Sequence, residues 1–97
     1  MYGFESKIVQ LEIITNKPDE VTGYIMIDIG RGVSESIVTG SYTGMERKKL
    51  ITLCSPRESF LIKKFLARVD KRAFVAVIQV TSVWGHGEGF TDIVENK

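Results

Sequence analysis

The residues of this 97-residue chain best suited to chemistry are cations placed beside glycines. Arg31 stands between Gly30 and Gly32, and the run Arg47-Lys48-Lys49 follows the loop Tyr42-Thr43-Gly44. Glycines free backbone N–H groups to turn toward an anion, and a nearby Arg or Lys supplies the charge, so these two segments are candidates for holding a small anion. The bland reading of the same basic run is a solvated strand edge that discourages aggregation. Other chemistry is thinly represented. His86, the one histidine, sits in Gly85-His86-Gly87 with no Cys or Asp at metal-ligand spacing, as a solvated loop residue would. Cys54, the one cysteine, closes an apolar run just before a helix start and reads as a small buried packer rather than a nucleophile. Gly85, Gly87 and Gly89 are spaced wrongly for a dinucleotide-binding turn. Lys71-Arg72-Ala73-Phe74-Val75 lacks the second aromatic that a base-stacking strand needs. An acyl-phosphate hydrolase would need an Arg on a phosphate loop plus a water-positioning Asn. Arg31 fits the first role, but Asn16 and Asn96 are poorly placed for the second.

The elements that must position these residues follow from periodicity and end signals. Residues 8–14 are β-branched, with Gln10 and Glu12 alternating onto one face, which predicts a strand with one wet side. Asn16 as a cap, Pro18 in the first turn and the acids Asp19 and Glu20 predict a helix start. Val21, Ile25 and Ile29 then line one helical face; the β-branching of residues 24–29 would also suit a strand, but the start signals favour a helix, which should end at Gly30-Arg31-Gly32. Residues 32–44 read as a strand ending in a loop, and residues 48–53 as its hairpin partner. Ser55-Pro56-Arg57-Glu58 is a capping box with proline at the first helical position. It opens a helix with Leu61, Ile62, Phe65, Leu66 and Val69 on one face and Lys63, Lys64 and Arg68 on the other. After Asp70-Lys71-Arg72, residues 73–80 form a nearly all-apolar strand, the pattern expected inside a sheet. The order is βαββαβ. It predicts an α+β, ferredoxin-like sandwich: a four-stranded antiparallel sheet with two helices on one face.

Composition sets the limits. A chain of this length makes one domain and buries about two-thirds of its unfolded surface. It is 43% hydrophobic and 26% charged, too apolar for a disordered tail. Its net charge of +1 creates no global field for nucleic acid, and a lone cysteine excludes an internal disulfide. Its apolar stretches fall far below the ~20 residues of a membrane span, and the N-terminus has no signal-peptide pattern, so the fragment itself is expected to be soluble.

Five ordered blocks carry a resemblance: Gly30-Arg31-Gly32-Val33-Ser34, Gly40-Ser41-Tyr42-Thr43-Gly44, Arg57-Glu58, Asp70-Lys71-Arg72-Ala73-Phe74-Val75 and Gly87-Glu88-Gly89-Phe90. In order and spacing they resemble the soluble C-terminal domain of YitT-type bacterial membrane proteins. Ser34 stands where that family usually has Thr, which keeps the hydroxyl. The resemblance spans roughly residues 5–90 and implies several things. The domain would be grouped with PII-like (GlnB-like) regulators and would occupy residues 8–90. Residues 1–7 would be the remnant of a linker from an upstream membrane region, and residues 91–97 a tail. The domain would lie on the cytoplasmic face of the cell membrane, form a homo-oligomer (a trimer by analogy) and bind a small, nucleotide-type anion between subunits. The loop at residues 42–46 is much shorter than the partner-docking loop of true PII proteins. The ligand-binding set under this reading is Arg31, Gly32, Tyr42, Thr43, Gly44, Lys48 (or Lys49), Phe74, Gly89 and Phe90. No catalytic group, metal or cofactor is expected. The function expected is ligand sensing, with pure oligomerisation as the alternative and acyl-phosphate hydrolysis as a remote third.

Overall fold

A computed structural model describes residues 8–40 and 44–81 of the chain. Four strands are formed: β1 (Val9–Ile14), β2 (Ser34–Thr39), β3 (Glu46–Cys54) and β4 (Phe74–Gln79). Two helical elements separate them. The first is α1 (Pro18–Gly23), which continues as a π-helical segment, Tyr24–Ile29, and the second is α2 (Pro56–Val69). The sheet order is β2-β3-β1-β4, with every neighbour antiparallel. Each βαβ unit therefore has a strand of the other inserted between its own two, which is the ferredoxin-like arrangement expected from the element order.

Strand alternation divides the sheet cleanly. One face carries Leu11 and Ile13 of β1 and Leu50, Thr52 and Cys54 of β3. The apolar ones meet Val21, Ile25, Ile62 and Leu66 from the helices in a single core cluster, and Thr52 is buried beside them. The helices are joined above it by the Tyr24–Phe65 ring stack, with centroids 4.2 Å apart and planes within 4°. The opposite face has no helix on it among the described residues. Its rows follow from the register: Ser36, Lys49, Ile14 and Phe74 form one, then Ser34, Ile51, Glu12 and Ala76, then Leu53, Gln10 and Ile78.

The start of α2 is as expected. The Glu58 N–H donates to Ser55 Oγ (3.1 Å), and the Ser55 N–H donates back to Glu58 Oε1 (2.9 Å). Three expectations need correction. Asn16 does not cap α1: Lys17 holds that position without a side-chain bond, because Asn16 N–H donates to Asp70 and its Oδ1 accepts from Arg47. The second strand is shorter than residues 32–44, since Gly32 and Val33 serve the connection from the first helix. Finally, β4 is not an interior strand. It lies at an edge of the described sheet, with Phe74 61% and Ile78 42% exposed. A continuous apolar run means that both faces favour burial, but it does not say whether anything covers them.

Candidate functional site

Arg31 is placed by the way the first helix ends. Gly30 takes the left-handed conformation at φ +85°, and the N–H groups of both Gly30 and Arg31 donate to the Ile25 carbonyl (2.8 and 3.0 Å). A side chain at position 30 would be strained there, so glycine suits the turn. The turn aims Arg31 at the N-terminus of α2. Arg31 Nε donates to Glu58 Oε1 and Nη2 to Glu58 Oε2, each at 3.0 Å. The two side chains are only 11% and 19% exposed. Burial would push the Glu58 carboxyl upward, but the Arg31 hydrogen bonds and charge, with the Ser55 bonds, outweigh it and hold the carboxyl below its usual range. The cation expected to hold an anion thus grips an internal carboxylate in a bidentate pair. Next to it, the Gly32 carbonyl accepts from Thr52 Oγ1 (2.8 Å).

The remaining candidates do not converge on Arg31. Lys48 lies on the helix-bearing face of β3, four residues from Thr52, or about 13 Å at the usual strand rise. Its Nζ is 3.8 Å from Glu35. Lys49 points to the open face, 3.5 Å from Glu12. Gly44, at φ +72°, helps close the β2–β3 connection: its N–H donates to the Gly40 carbonyl and the Gly40 N–H to that of Met45. Phe74 is on the open face, in the same row as Lys49 with Ile14 between them. Tyr42, Thr43, Gly89 and Phe90 lie outside the described residues, as do Trp84, His86, residues 1–7 and residues 91–97. Of the expected set, then, the fold places Phe74 and Lys49 on one face of the sheet, two strands apart, and it places Arg31, Gly44 and Lys48 elsewhere.

Sequence reasoning missed a polar hub at the other end of α2. Asp70 Oδ2 accepts from Thr15 Oγ1 (2.6 Å) and the Asn16 N–H (2.8 Å), and Oδ1 accepts from the Arg72 N–H (3.1 Å). The Thr15 hydroxyl, the Asn16 amide and the Arg72 amide hold this carboxyl below its ordinary range. A shallow pocket of about 230 Å³ opens beside it between α2 and β4, lined by Lys63, Leu66, Asp70, Lys71 and Val75 among others. The only advance signal was Asp70 just past the apolar face of the helix. Cys54 is fully buried in the core, as expected. Desolvation, reinforced by the nearby Glu58 charge, pushes its thiol up to about 12. Among the described residues, no three His, Cys, Asp or Glu side chains gather as metal ligands.

Comparison with known proteins places this geometry. Residues 31–85 match the family described as an uncharacterized protein conserved in bacteria, DUF2179. Two relatives come from Bacillus subtilis (strain 168). UPF0750 membrane protein YxkD is 32% identical over 83 residues, covering 86% of this chain and 29% of its own length. UPF0750 membrane protein YitT is 27% identical over 73 residues, covering 75% of this chain and 26% of its own length. The chain therefore spans less than a third of either relative. A crystal structure of a DUF2179 protein from Eubacterium ventriosum superposes with a TM-score of 0.64 at 18% identity. The match covers 73% of this chain and 97% of that one, which establishes the shared fold. The resemblance to YitT-type domains is borne out. No helix among the described residues is long and apolar enough to cross a membrane.

Proposed function

This chain belongs to the DUF2179 family, and from that premise we propose that it is an assembly and regulatory domain of a membrane protein, acting by association and not by catalysis. Copies associate through the open face of the sheet. The observation that carries this reading is the make-up of that face. Gln10, Glu12 and Lys49 form a polar centre, in which Gln10 Nε2 donates to Glu12 and Lys49 pairs with Glu12. Ile14, Ile51, Leu53, Phe74 and Ile78 flank them. Apolar surface beside a small set of mutually paired polar groups suits a reversible interface. Under this proposal the domain lies on the cytoplasmic side of the membrane and sets the stoichiometry of the protein that carries it. A trimer is the assembly that the sequence resemblance implies. Sedimentation velocity over a range of concentrations tests it. The parent should move as an oligomer, and Phe74→Glu/Ile78→Glu as a monomer; a parent that stays monomeric at high concentration contradicts the reading.

Ligand sensing is the second reading, favoured by one observation. Lys49 and Phe74 share a row of the open face, so a cation and an exposed aromatic ring flank the same strip of sheet. A nucleotide-type anion would then bind at the subunit boundary, its base on Phe74 and its phosphate toward Lys49. Titration calorimetry with a nucleotide panel should give heat for the parent and none for Phe74→Ala. Silence across the panel removes this second reading and leaves association standing.

A further inference from the structure

We propose that the helical layer, on the side of the sheet away from that interface, docks on an anionic phospholipid surface. α2 and the turn after it present Arg57, Lys63, Lys64, Arg68, Lys71 and Arg72, all exposed, with Lys63 and Lys71 on the flank that lines the α2–β4 pocket. The two acids of the same stretch are engaged inward: Glu58 holds Arg31, and Asp70 holds Thr15 and the Asn16 amide. Six of the thirteen Lys and Arg residues thus lie in this one stretch of a chain whose net charge is +1.

Exposed apolar side chains share the helical layer with those cations. Ile27 is 81% exposed, Phe60 58% and Met26 54%. Two contacts fix their relative level. The helices run antiparallel, Tyr24 stacks on Phe65, and Arg31 reaches Glu58. Ile27 therefore lies along α2 between the levels of Glu58 and Phe65, the level of Phe60, which leaves α2 on the side away from the first helix. Lys64 Nζ sits 5.7 Å from the centre of the Phe60 ring, and Arg68 lies over Phe65 at 5.4 Å. Large apolar groups and long cationic stems on one outward layer are the make-up of a surface that lies in a headgroup layer, with rings and aliphatic chains entering the acyl boundary and charges kept at the phosphates. Asp28, exposed on the first helix, stands at that level, and the exposed Asp19 and Glu20 lie eight or nine residues earlier, toward the level of the C-terminal end of α2. Charge complementarity commits the surface to anionic lipid. Nucleic acid would reward the cations but gain nothing from Ile27 and Met26. The membrane proteins among the relatives supply the setting. The proposal does not depend on self-association, which uses the other side of the sheet.

The test is co-sedimentation of this chain with vesicles of phosphatidylcholine alone and of an equal mixture with phosphatidylglycerol. Binding to the mixture should exceed binding to phosphatidylcholine by at least about tenfold at low salt and fade as salt rises. Lys64→Glu/Arg68→Glu should lose that preference. Ile27→Ser/Phe60→Ser should weaken binding several-fold while keeping it. Circular dichroism should show all of them folded, since every substituted side chain is exposed. If a charge variant were to unfold, the salt series on the parent still decides. Equal binding to the two vesicle types would overturn the proposal. So would a folded charge-reversed variant binding like the parent, or duplex DNA binding as tightly as the mixed vesicles with no loss in Ile27→Ser/Phe60→Ser.

Discussion

Arg31 and Glu58, 27 residues apart in sequence, meet as a two-pronged ion pair with both N···O distances at 3.0 Å. Glu58 Oε1 also accepts the Ser55 N–H of the capping box. One carboxylate therefore closes the first turn of α2 and fastens the loop after the first helix onto it. The residue marked by its surroundings as an anion holder does bind a carboxylate, and that carboxylate belongs to the fold.

Loss of this pair should be felt as stability. Arg31→Ala leaves Glu58 half-buried without its charged donors, and should lower the unfolding free energy by about 2 kcal/mol in a urea titration. In a double-mutant cycle with Glu58→Gln, the two losses should fall well short of additive. Additive losses would show that the pair is not coupled.

Acid should weaken the fold through two carboxyls. Both Glu58 and Asp70 are held below their ordinary values of 4.5 and 3.8. The unfolded chain therefore takes up protons first as the pH drops. Their contribution is complete above the ordinary carboxylate range and is lost as the pH falls through the lower folded-state values. Urea midpoints should be flat near neutrality and decline in acid. Asp70→Asn should make that decline shallower; an unchanged slope would rule out a part for Asp70.

Cys54 should resist thiol reagents while the chain is folded. With its thiol pushed up to about 12 and no exposed surface, thiolate is scarce and approach is blocked. Reaction with a disulfide reagent at neutral pH should become fast only in denaturant. Rapid stoichiometric reaction of the native chain would contradict the core placement.

Two glycines should respond in opposite directions. Gly30 sits at φ +85°, so Gly30→Ala should cost about 1–2 kcal/mol although nothing stands within 4 Å of the added methyl. Gly23 has helical angles and equally open surroundings, so Gly23→Ala should stabilise by about 0.5–1 kcal/mol. Thermal unfolding of the two variants checks both signs.

How much of this could be read in the sequence varies by residue. The βαββαβ order and the Ser55–Glu58 box were legible because their signals are local: alternation, a proline at the first helical position, an acceptor and a carboxylate three residues apart. The π-helical form of Tyr24–Ile29 was not, since Val21 and Ile25 would lie on one face of an α-helix as well and the wider turn shows in backbone bonding, which ends with the Ile25 carbonyl taking two amides. The candidate site was the least legible part. Arg31, Lys48 and Phe74 all belong to types that bind anions or bases, but which face each reaches depends on register, and a shift of one residue reverses a face. Lys48 and Lys49 show it: adjacent in the chain, they pair with Glu35 and Glu12 on opposite sides of the sheet.

The central claim, association through the open face, is tested most directly by methyl NMR on a dilution series. The methyls of Ile14, Ile51, Leu53 and Ile78 should shift and broaden together as concentration rises, while those of Ile27 and Ile37, exposed on the other side, stay fixed. Shifts confined to Ile27 and Ile37, or no concentration dependence at all, would contradict it.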